Sequence, residues 1–200
     1  MALTTIFFLA IYSVCLLGSV LYHPLMGVFG YAMSYNLSPA TQWWGVELAH
    51  MGVRYSFFMG AATAVGLFLH KDKLTWPRGL HKQEVLFFLL IAWIYLTTFT
   101  GLPGAGMENF ALKLFKVGLF LWMLGRIVND LKNYEMFMWV LVLLAFYHGY
   151  DALGASTAHF GRIDAGVGGS DFAEGNFLAA HLAMLLPFIG VFFLQGGKKT

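Results

Sequence analysis

The stretch GRIDAGVGGSDFAEGNFLAAHLAMLLPF, Gly161 to Phe188, holds the residue types best suited to chemistry. A polar, glycine-rich loop with one arginine runs without a break into an apolar helix that opens on Asn176. Five glycines from Gly161 to Gly175 let the backbone approach a ligand closely, and Arg162 offers a planar fork of donors matched to phosphate oxygens. The apolar segment that follows, Phe177 to Leu194, is long enough at roughly 1.5 Å per residue to cross most of a bilayer core of about 30 Å. The loop is therefore expected at one membrane face. On composition alone it reads equally well as a flexible connector with a stray charge.

Ionisable residues inside apolar segments form the second group. A charge at the centre of a membrane helix costs roughly 2.5 to 3.5 kcal/mol, so it persists near an interface, in a pair or for a function. Lys113 and Lys116 stand three residues apart on one face of an expected helix. Snorkelling to headgroups suits Lys113, whereas Lys116 lies deeper and is a candidate for ligand binding. Glu47, His50 and Arg54 have spacings of three and four and read as one helix face, either a local ion-pair network or a binding face. His148 and Asp151 share a face in the same way, as do Asp171, Glu174, Leu178 and His181 if the last helix starts in the loop. A lone histidine about a turn below the surface, as His181 would be, is more often a hydrogen-bonded packing residue than a catalyst. Pro187 should kink its helix and free a carbonyl one turn earlier.

These residues need a scaffold, and composition names it. The chain is 59% hydrophobic, 18% aromatic and only 11% charged, with a mean hydropathy of +0.70, which exceeds what a soluble domain of this length hides in one core. The expected fold is all-α, a polytopic transmembrane helical bundle forming a single membrane domain. Apolar segments at Leu3–Tyr22, Met51–Leu69, Glu84–Thr100, Phe110–Gly125, Met136–Tyr150 and Phe177–Leu194 give about six spans. The stretch His23 to Pro39, bounded by Pro24 and Pro39, is expected as a short re-entrant or interfacial helix. Were it to cross fully, the N-terminus would change sides.

Charge then orients the bundle. Lys71, Lys73, Arg78, Lys82, Arg126, Lys132, Lys198 and Lys199 fall in alternate connectors, and the others hold mainly acids, with Arg162 as their only loop cation. The positive-inside rule puts the basic connectors, the N-terminus and the C-terminus in the cytoplasm and the Asp151–Gly175 loop outside. Trp43, Trp44 and Trp76 are expected at membrane boundaries. The start of the chain has no basic region and no small-x-small cleavage site before its apolar run, so it reads as a retained span. Cys15 is single and lies in that run, which leaves no disulfide within the chain.

Several function classes lose support. The histidines are scattered and show no metal-ligand spacing, there is no Walker-type loop, and Gly166, Gly168 and Gly169 follow no strand, so neither a metal nor a nucleotide cofactor is expected. The basic connectors are explained by topology, which removes the case for nucleic acid.

Three segments, HPLMGVFGYAMSYNLSPATQWWG, NFALKLFKVGLFLWML and FGRIDAGVGGSDFAEGNFLAAHLAMLLPF, resemble in matching order the N-terminal half of the O-antigen ligase and polymerase superfamily, above all its exosortase-associated O-glycosylation ligases. The resemblance covers most of the 200 residues. It implies an inner-membrane glycosyltransferase that takes a glycan from a polyprenyl-diphosphate carrier on the periplasmic side and joins it to an acceptor. By carry-over, Lys116 and Arg162 would contact the donor diphosphate, and Asn176 matches the family's asparagine before Leu-Ala. Gly175 stands where the family often has a second asparagine, which puts a paired-amide role in doubt.

Family members run to about twice this length, with the histidine usually assigned to catalysis in their second half. The expectation is therefore a donor-binding half whose partners are the bilayer, a lipid-linked glycan and the remaining half of such an enzyme. Substrate-binding candidates are Lys116, Arg162, Asn176, Arg54 and His181. The competing expectation is a non-catalytic polytopic protein, a transporter subunit or scaffold whose polar residues line a path or a helix interface.

Overall fold

The computed structural model describes residues 3–74, 81–100, 107–154 and 175–196. Among them all regular structure is helical: α1 Leu3–Leu21, α2 Pro24–Asn36, α3 Val46–His50, α4 Tyr55–Leu69, α5 Lys82–Thr100, α6 Met107–Ile127, α7 Leu131–Gly154 and α8 Gly175–Gly196. Six of these match the expected apolar segments to within a few residues. Three, α1, α7 and the part of α8 from Gly175 to Phe192, are long and apolar enough to cross a membrane, while α4, at 15 residues, is apolar but short. Large side chains such as Phe68, Trp93, Phe146 and Met184 point outward, an arrangement that water would penalise and hydrocarbon favours. The protein is a membrane protein.

The centre of the bundle is α2, a short helix of 13 residues. Pro24 opens it at a position where a missing N–H is harmless, and the His23 side chain accepts a hydrogen bond from the Leu25 N–H at 3.2 Å. The helix ends where Asn36 bonds back to the Ala32 carbonyl at 2.8 Å and Pro39 follows. It packs on α1, α4, α6 and α7. Its small residues make this possible: a Cβ on Gly30 would fall 2.7 Å from the Cβ of Cys15. In the order Leu25 near Leu67, Gly27 near Thr63 and Gly30 near Met59, α2 runs antiparallel to α4.

α1 runs parallel to α4. Thr5 donates to the Trp44 carbonyl at 2.6 Å, Tyr12 to that of Tyr55 at 2.9 Å and Ser19 to that of Ala62 at 3.2 Å. The two starts therefore share one end of the bundle. His23, at the far end of α1, lies close enough to His70 and Lys73 for their charges to act on it. The start of α1 and the Lys71–Lys73 turn consequently stand at opposite ends of the bundle. Between these ends α2 runs along α1 and antiparallel to α4.

The remaining helices alternate. α5 packs on α6 through the bidentate Arg126–Glu84 pair, whose longer contact is 3.3 Å, and α7 meets α8 with Trp139 stacked on Phe192 at 4.7 Å. Arg126, expected in a connector, is instead the last basic residue of α6, 3% exposed, with its guanidinium 4.4 Å over the Trp122 ring. Of the expected boundary indoles, Trp43 is 71% exposed but Trp44 only 8%, turned inward against Phe8 at 5.1 Å. Trp76 lies outside the described residues. Pro187 sits inside α8, which continues past it to Gly196.

The His23 cap gives a pH test. Burial, and then the charges of His70 and Lys73, hold its imidazole below the usual 6.5, with Asp130 opposing. A histidine depressed in the folded state binds fewer protons there than when unfolded, so the stability it contributes is present above the unfolded value and is lost as pH falls below it. The melting temperature in detergent should fall from pH 8 to pH 5 on this account, and His23→Asn, which keeps a cap without a titrating group, should flatten the fall. An unchanged pH profile in His23→Asn would remove the histidine from the explanation.

Candidate functional site

A groove of about 610 Å³ opens between α2, α4 and α6, a volume in the range of small-molecule sites. The local folding of its walls explains its shape. After the short α3, Gly52 adopts a φ of 65°, a left-handed conformation that glycine reaches at little cost. That break starts α4 afresh, with Arg54 as its N-cap residue. It also corrects an expectation: Glu47, His50 and Arg54 do not share one helix face, because the helix is interrupted between His50 and Arg54. The interruption turns Arg54 onto the groove, while Glu47 and His50 do not line it.

Across the groove, α6 contributes Lys116. Lys113, one turn earlier and exposed like Lys116, does not line it. The floor is aromatic, with Tyr31 of α2 stacked on Phe120 of α6 at 3.9 Å and 20°. Ser34, Ser38 and Ser56 add hydroxyls to the lining, and no acidic residue lines the groove among the described residues. Two cations far apart in sequence, with hydroxyl donors and no carboxylate, form a place that favours an anion.

The other expected site residues lie elsewhere. His181, on α8, meets His148 of α7 edge to face with ring centroids 6.3 Å apart, and His148 is completely buried. Beside it the Tyr147 hydroxyl donates to Gln42 Oε1 at 3.2 Å, tying α7 to the segment before α3. Asn176 lies in the first turn of α8 and is exposed. Neither His181 nor Asn176 lines the groove that holds Arg54 and Lys116. Arg162, Asp171 and Glu174 lie outside the described residues.

Tyr31, the serines and the small residues of α4 had no signal as site residues in the sequence. The spacing of Gly27 and Gly30 in α2 is the one pattern that could have pointed to a helix packed at the centre, and hence to a groove beside it.

In comparison with known proteins, the chain matches no family model, no curated protein and no solved structure.

Proposed function

We propose that this chain forms the donor-binding half of an O-antigen ligase-like glycosyltransferase in a bacterial inner membrane, which takes a glycan from a polyprenyl-diphosphate carrier on the outer side. The observation that carries the reading is the convergence of Arg54 and Lys116 on one groove without acidic lining residues. A diphosphate matches that groove in sign, and its departure with negative charge is the step that such cations stabilise. The sequence resemblance points to the same chemistry through Lys116. His181 and Asn176 belong, on this reading, to the α7–α8 side of the bundle, away from the diphosphate.

The topology that fits has seven traverses, α1, α2 and α4 to α8. The basic end, with Lys71, Lys73, Lys82, Arg126 and Lys132, is cytoplasmic by the positive-inside rule. The start of α1 and the cationic end of the groove then face outward, and α8 runs toward the cytoplasm. In a Cys15→Ala background, Thr4→Cys should react with an impermeant thiol reagent from outside the cell, and Asp72→Cys only after the inner side is opened. Labelling of both from the same side would overturn the arrangement.

The function is tested by titrating the whole chain, in nanodiscs, with a polyprenyl diphosphate. Saturable binding that competes with inorganic diphosphate is expected. No binding, or binding that added diphosphate leaves unchanged, would sink the donor reading and favour a non-catalytic transporter subunit or scaffold.

A further inference from the structure

Two stripes of side chains line the groove, and each begins with a cation. On α4 the stripe runs Arg54, Phe57, Gly60, Ala61, Ala64; on α6 it runs Lys116, Leu119, Phe120, Met123. Apart from the neighbours Gly60–Ala61 and Leu119–Phe120, the residues recur at steps of three or four, so each stripe keeps to one side of its helix. α4 and α6 run in the same direction, since both are antiparallel to α2: Leu25 and Val28, at its start, cluster with Leu67 and with Met123 and Ile127. The two cations therefore stand toward the same end, and beyond them, toward the basic end, these stripes are apolar or nearly without side chain.

Tyr31 ties the levels together. Its ring stacks on Phe120 and lies 3.6 Å from where a Cβ on Gly60 would stand. Gly60 and Phe120 are thus at one height, with Lys116 one turn nearer the outer end. At about 1.5 Å per residue, Ala64 lies roughly 15 Å beyond Arg54 along the helix axis. A free anion would use only the first part of such a groove. An anion carrying a hydrocarbon chain would use all of it.

We infer that Gly60 and Ala64 form the chain channel of this groove: a phosphate lipid sits with its headgroup between Arg54 and Lys116 and its chain along the α4–α6 seam toward the basic end, and the bare backbone at Gly60 sets the width of chain admitted. This rests on the donor reading above and adds the position and the size limit of the chain. A methyl at Gly60 would meet Tyr31 at 3.6 Å to 3.7 Å, ordinary contact, so Gly60→Ala leaves the channel open. A leucine there, or a phenylalanine at Ala64, projects into the space the chain occupies.

The experiment compares two probes, a long-chain polyprenyl diphosphate and isopentenyl diphosphate, which shares the headgroup and lacks the long chain. Each is titrated against the full chain in nanodiscs as wild type, Gly60→Ala, Gly60→Leu, Ala64→Phe and Lys116→Ala. Gly60→Leu and Ala64→Phe should weaken long-chain binding about tenfold or more, the loss of roughly two buried methylenes. Isopentenyl diphosphate should still bind them within about twofold of wild type, which also shows that the variants are folded, and Gly60→Ala should match wild type with both probes. Unchanged long-chain binding in Gly60→Leu and Ala64→Phe, alongside a loss in Lys116→Ala, would place the chain elsewhere and overturn the inference while leaving the headgroup reading intact. Equal loss of both probes in the two bulky variants would overturn it too, because the substitutions would not separate chain from headgroup. A wild-type chain that binds neither probe removes both readings together.

Discussion

Lys116→Ala and Arg54→Ala should each weaken binding of a polyprenyl diphosphate about 10- to 100-fold, while Lys113→Ala stays within about twofold. The range follows from hydrogen bonds to charged groups, roughly 1.5 to 3 kcal/mol each, with 1.4 kcal/mol to a factor of ten. The contrast follows from position. Lys116 and Arg54 line the groove, and Lys113, on the same helix as Lys116, does not. All three cations have similar access to bulk charge, so a nonspecific attraction of the protein surface for anions would treat them alike. Lys116→Arg should retain most of the binding, because charge is kept, and added salt should weaken the wild type more than Lys116→Ala. Isothermal titration in nanodiscs reads these numbers directly. Small and equal effects from all three substitutions would leave only lysines and an arginine snorkelling to phospholipid headgroups.

The helices that hold this groove were unequally visible in the sequence. α1 and α4 to α8 appear as largely apolar runs because each leaves large apolar side chains exposed along the outside of the bundle. α2 meets mainly other helices. Its Gly27, Gly30, Ser34 and Asn36 are buried, and residues that serve close packing dilute the apolar signal that marks a span. The consequence is large, since α2 lies between α1 and α4, whose parallel packing sets the start of α1 and the Lys71–Lys73 turn at opposite ends of the bundle. Arg126 failed for a related reason: the sequence shows its charge but not Glu84, its partner 42 positions away on α5. The two groove cations were each legible as charges in or beside apolar segments. That they share one site is a property of three helices and of the break at Gly52, which pattern along the chain does not encode.

Gly66→Ala should destabilise the bundle, and it should do so at a helix position where alanine is ordinarily the better residue. A Cβ on Gly66 would fall 2.1 Å from the Ser19 carbonyl oxygen and 2.9 Å from its carbon. Those are backbone atoms of α1, so no side-chain rotation relieves the contact and α1 must move away from α4. The same motion stretches the Ser19 to Ala62 hydrogen bond at 3.2 Å and loosens Gly27 of α2, which packs against both Ser19 and Thr63. Overpacking of this kind costs about 1 to 3 kcal/mol, against a gain of about 1 kcal/mol from replacing glycine by alanine inside a helix. Gly149 and Gly190 supply the control, because nothing lies within 4 Å of a Cβ at either position. Gly149→Ala and Gly190→Ala should hold or raise the melting temperature in detergent, while Gly66→Ala lowers it by several degrees. Because α1, α2 and α4 meet at this point and α2 and α4 wall the groove, Gly66→Ala should also weaken diphosphate binding although no atom of Gly66 lines the site. If Gly66→Ala melts with the two control variants, the close parallel packing of α1 on α4 is wrong, and the topology proposed from it falls as well.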